Sequence, residues 1–204
     1  MVRAVALMDR LEVRVGLLMA VAAAALVPLP ISALVPALAL ATVALWVRGK
    51  SWASIWSPGR PRALMMIGGL AVGAAVQVGL LWLTGGGGGG DWVGIDQLPP
   101  LKGHGEALLT ALVLAVMGNG VVASMVFHGY LQRELEDLHA GPYAVLLAGA
   151  VFGLSSSGLS LEAVGAGMVG CGLGLLYRAH GDLALPIAVR VGFDSVYLVA
   201  LALV

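Results

Sequence analysis

Two polar pairs interrupt the apolar runs of this chain at helical spacing. Ser124 and His128 stand four residues apart within Gly118–Leu131 (GNGVVASMVFHGYL), a stretch that also carries Asn119. Arg190 and Asp194 are likewise four apart near the end of the chain, and Ser156 sits in the serine triplet closing another apolar run. Residues four apart on a helix share a face, so each pair projects to one side. Ser156 is a nucleophile only with a base beside it, and His128 is the base that could reach it across a shared pocket. An imidazole with a carboxylate, here His128 with Asp194, is the start of a metal site, although a catalytic zinc typically takes three protein ligands. The plainer roles come first. Arg190 with Asp194 makes an intrahelical ion pair that lowers the cost of burying either charge. His128 serves as a hydrogen-bonding packing residue, and the serines satisfy nearby backbone groups.

These residues need an unusual host. The chain is 60% hydrophobic and 11% charged, with a mean hydropathy of +0.98. Soluble domains are about 45–50% apolar and roughly 25% charged. The expected fold is an all-α polytopic transmembrane bundle with the lipid bilayer as its first partner. The formal net charge of zero argues neither for nor against a nucleic-acid partner, and none is expected; the single cysteine, Cys171, excludes a disulfide framework or a cysteine metal cluster. Gly69/Gly73, Gly149/Gly153 and Gly170/Gly174 have the small-xxx-small spacing that lets helices approach closely.

The elements follow from breaks in the apolar runs. Val15–Val27 and Ile31–Val47 flank Pro28 and Pro30, and a basic break with Trp52 and Trp56 follows. Ala63–Thr84 is a full-length span, after which the tract Gly85–Gly90 makes a flexible link, without the lysine of a phosphate loop. A long span then runs from Glu106 to about Leu131, ending in a charged turn with Glu134, Glu136 and Asp137. Tyr143–Ser157, Leu161–Tyr177 and Leu183–Val204 complete about seven spans, six to eight being compatible with the pattern. The chain divides into an N-terminal part, 1–105, and a core, 106–204, within one membrane domain. With the N-terminus inside, Arg3, Arg10, Arg14, Arg48, Lys50, Arg60, Arg62, Arg133 and Arg178 fall on the cytoplasmic side and Lys102 outside. A bacterial inner membrane is the expected location. His104, Glu162 and His180 belong to interfaces.

The core resembles a family. Phe127-His128-Gly129-Tyr130-Leu131-Gln132, Phe152-Gly-Leu-Ser-Ser156, and the run from Gly170 to Tyr177 followed by Gly181 to Asp194 are similar to the three motifs of the CAAX-protease and bacteriocin-processing (CPBP) intramembrane metalloproteases. The likeness covers roughly residues 100–204. It implies that a pair of glutamates, an arginine, two histidines and a final asparagine or aspartate stand at six positions. Here those positions hold Ala123, Ser124, His128, Ser156, Arg190 and Asp194. Only Asp194 fits.

The family's metal and general base therefore have no supply of ligands here. Alanine offers no lone pair, and Arg190 places a cation where a ligand should be. The expected function is that of an inactive homologue, without cofactor, holding a peptide, a lipidated tail or a membrane partner in the former substrate cavity. Zinc enters only if the family chemistry survives. An active intramembrane metalloendopeptidase with an atypical site, and a small transporter or channel subunit using Arg190, Asp194 and His128, are the alternatives.

Overall fold

The computed structural model describes residues 11–26, 34–55, 62–83 and 105–203. Arg3, Arg10, Pro28, Pro30, Trp56, Arg60, the tract Gly85–Gly90, Lys102 and His104 lie outside the described residues, as do the side chains of Arg62, Asn119, Ser157 and Glu162. Among the described residues the chain is helical, without strands. The helices are α1 (Leu11–Leu26), α2 (Leu34–Val47), α3 (Arg62–Leu83), α4 (105–137), α5 (Tyr143–Ser157), α6 (Leu161–His180) and α7 (Ala184–Leu203). A 3₁₀ turn, Trp52–Ile55, follows α2. One helical stretch, Leu108–Asp137, is long and apolar enough to cross a membrane, and Leu34–Val47, Ala63–Gly79 and Tyr143–Ser156 are shorter apolar helices.

The boundaries follow local chemistry. Pro36 falls in the first turn of α2, where its missing N–H costs nothing. Ser160 caps α6 by accepting the Ala163 N–H at 3.2 Å. Gly181 closes the same helix in the left-handed conformation, with φ 65°.

One boundary departs from expectation. The expected charged turn begins later, at Leu138, and keeps His139, Gly141 and Pro142: α4 continues through Glu134 and Glu136 to Asp137. The helix can continue because its polar side chains meet partners on other elements, so they need no water. The chain reverses only after that, through Leu138–Gly141, where His139 has φ 64°.

Small residues set the packing. α3 and α7 run parallel, Gly69 lying against Leu185 and Ala188, and Gly73 against Val189 and Phe193. A Cβ at Gly73 would collide with the Val189 carbonyl, and one at Gly192 with the Leu70 carbonyl, so these backbones touch. α5 and α6 pair antiparallel, Gly153 meeting Ala163 and Gly167. The α1–α2 hairpin lays Leu18, Val21, Ala37, Ala41 and Ala44 into the same core as Val126, Phe127, Tyr130 and Leu131 of α4. Large apolar side chains also cover the outside, among them Leu159 (98% exposed), Trp82, Leu161 and Met168.

Candidate functional site

α4 carries the site, and it is not a regular helix. Residues Ala115–Val122 and Met125–Gln132 are wound as π-helix. Widened turns of this kind are uncommon and gather at functional positions. They shift the register of the side chains around Ser124 and His128, which a strict 3.6-residue reading of the sequence does not capture.

Ala123, Ser124 and His128 are all buried. Ala123 joins the main apolar core. His128, 1% exposed, makes one side-chain contact through Nδ1, 3.3 Å from Gln132 Oε1. Gln132 in turn reaches Gly174 of α6 at 3.0 Å and Glu136 at 3.1 Å. The polar ladder His128–Gln132–Glu136 runs up one side of α4.

The last helix brings the pair expected from its spacing. Arg190 Nε lies 3.0 Å from Asp194 Oδ1 and donates to Oδ2 at 3.1 Å. Asp194 is wholly buried. The arginine also lies over two aromatic rings, 5.2 Å from the Phe152 centroid and 5.6 Å from that of Phe193. Phe152 meets Phe127 of α4 edge-on at 5.3 Å. Cation–π contact of this kind holds a guanidinium most firmly where water is scarce. Phe152 thus joins α4, α5 and α7.

Ser156 and its neighbour are spent locally. Ser155 and Ser156 donate to the Phe152 carbonyl at 2.8 and 2.9 Å. The three motif segments therefore meet around Phe127, Phe152 and Arg190. Ser156 stays tied to the backbone of α5, one turn from Phe152.

This arrangement does not fit the metal that the motif resemblance implies. His128 is bonded to Gln132, Asp194 to Arg190, and Ala123 supplies no donor atom. Among the described residues no group of three or more His, Cys, Asp and Glu side chains gathers to hold an ion. The polar groups gathered here are one imidazole, one aromatic-stacked guanidinium with its carboxylate, and the buried Ser124 hydroxyl.

A second cluster lies at the C-terminal end of α4, where the sequence indicated an exposed turn. Glu134, its side chain 5% exposed, receives Arg14 Nε from α1 at 2.6 Å and Arg48 Nη1 from beyond α2. Lys50 pairs with Asp137 at 2.8 Å, and Arg14 Nη2 reaches the same carboxylate at 4.0 Å. Phe193 carries no signal of its own in the sequence, and Gln132, Glu134 and Phe152 enter there only as parts of a motif or of the segment closing a span. Gln132 and Glu136, at four and eight residues beyond His128, gave a usable signal. Nothing local points from Glu134 to Arg14 or Arg48.

Comparison with known proteins places the core. Residues 105–196 match the family model of type II CAAX prenyl endopeptidase Rce1-like proteins. This agrees with the CPBP motifs read from the sequence. No curated protein and no solved structure matches the chain.

Proposed function

We propose that this chain, whose residues 105–196 form an Rce1-like core of the CPBP family, is a polytopic membrane protein that binds rather than cuts. The bound partner is a peptide, a lipidated tail or a membrane protein segment, received in the cavity where family members hold substrate. The membrane setting is supported by the Rce1-like match and by the apolar side chains that cover the helices on their outer faces. The concentration of Arg14, Arg48 and Lys50 at one end of α4 is the pattern of a cytoplasmic interface. An inner membrane of a bacterium, with the N-terminus inside, is the corresponding location.

One observation carries the binding reading. At the third-motif position Arg190 is committed twice, to Asp194 and to the rings of Phe152 and Phe193. A guanidinium has five donors and no acceptor, so it can neither ligate a metal nor take a proton from water. The forked donors of a guanidinium match a carboxylate or a peptide carbonyl, not a metal ion. Ala123 removes the carboxylate that a general base would need.

The test is a reconstituted assay with a membrane-anchored peptide and the purified protein. The expected outcome is peptide capture without cleavage, weakened by Arg190→Ala. Cleavage that disappears on changing His128 or Arg190 to alanine would overturn the proposal and return the chain to the hydrolases.

A further inference from the structure

Gln132 is wholly buried and all of its amide atoms are engaged, which fixes more than its own position. Its nitrogen lies 3.0 Å from the Gly174 carbonyl oxygen and 3.1 Å from Glu136 Oε1. Its oxygen lies 3.3 Å from His128 Nδ1. A carbonyl oxygen only accepts hydrogen bonds, and so does an ionised carboxylate. The network therefore assigns the amide: turned the other way, it would set two acceptor oxygens 3.0 Å apart across α4 and α6. With nitrogen facing Gly174 and Glu136, the amide oxygen faces the ring. An amide oxygen cannot donate, so the proton of the shared bond belongs to His128 Nδ1.

The consequence lies on the other side of the imidazole. A neutral ring with its proton on Nδ1 keeps a lone pair on Nε2. Gly174 is part of the same device, because a Cβ at that position would stand 2.7 Å from Gln132 Oε1. Only glycine leaves room for the amide that orients the histidine.

We propose that Gln132 is a positioning residue, holding the buried His128 as the Nδ1–H tautomer so that its Nε2 is left as the hydrogen-bond acceptor at this motif position. The assignment stands on the hydrogen-bond geometry and does not depend on the binding function proposed above.

The experiment is ¹⁵N spectroscopy of the full chain in detergent with labelled imidazoles. The chain has four histidines, and His128→Asn identifies the signal of interest. The expected result is a protonated Nδ1 and an unprotonated Nε2 in the wild-type protein. Gln132→Leu and Gly174→Ala should shift that pattern towards Nε2–H. A wild-type ring carrying its proton on Nε2 would overturn the assignment even if no variant folds. So would an unchanged tautomer in a folded Gln132→Leu protein.

Discussion

The molecule holds two sets of buried ion pairs, and they are built in opposite ways. Arg190 and Asp194 are one helical turn apart on α7, so the pair closes before any other helix arrives. Glu134 draws its partners from α1 and from the segment after α2, 120 and 86 residues away. The first pair neutralises itself while the guanidinium stacks on Phe152. The second fastens the N-terminal hairpin to the end of α4. A local pair sets the chemistry of one helix face; a distant pair sets the tertiary structure.

That contrast predicts unequal costs. The largest is expected for Glu134→Ala, which removes the carboxylate shared by the part-buried Arg14 and Arg48 and leaves Arg14 with Asp137 at 4.0 Å. Removing one partner of a buried pair costs about 3–5 kcal/mol, and a carboxylate that serves two guanidinium groups sets this change above a single pair. Denaturant titration of the detergent-solubilised protein should show it, with loss of the hairpin from the core. A shift no larger than that of a surface variant would dissolve the distinction between the two clusters.

Arg190→Leu ranks second. It leaves Asp194, wholly buried, without its cation, and the expected loss is about 3 kcal/mol because a lone buried carboxyl can take up a proton. Replacing both residues with leucine should recover most of that loss, to within about 1 kcal/mol of wild type, since a matched apolar pair needs no desolvation. Failure of the double variant to recover would mean that Arg190 has further structural partners. Lys50→Ala ranks last. Lys50 and Asp137 are both about one-third exposed, and water screens such a pair, so less than about 1 kcal/mol is expected in the same titration.

The two clusters also differ in how visible they were from sequence. The Arg190–Asp194 pair followed from spacing alone, as did the burial of Ser155 and Ser156 hydroxyls in local backbone bonds. The seven helical segments were legible because proline, glycine and charge break the apolar runs. The contacts of Gly73 and Gly153 with neighbouring backbones bear out the small-residue spacing. Glu134 was misread as part of a surface turn because charge ordinarily marks water, and its neutralising arginines come from far away in the chain. The π-helical turns of α4 were equally hidden, since a widened turn leaves no periodic trace in a uniformly apolar run. Gln132 meets Gly174 across 42 residues, and only the folded arrangement of α4 against α6 joins them. Residues that act within one helix were legible, and those that act between helices were not.

On the function proposed above, the region that matches the Rce1-like family model, residues 105–196, works without a metal. The most direct test is the transition-metal content of the detergent-purified protein, prepared without chelator and then soaked with zinc. The account predicts no tightly held ion in proportion to the chain, before or after soaking, and no change on replacing His128 or Asp194. A stoichiometric zinc that survives dialysis and is lost with either residue would contradict it.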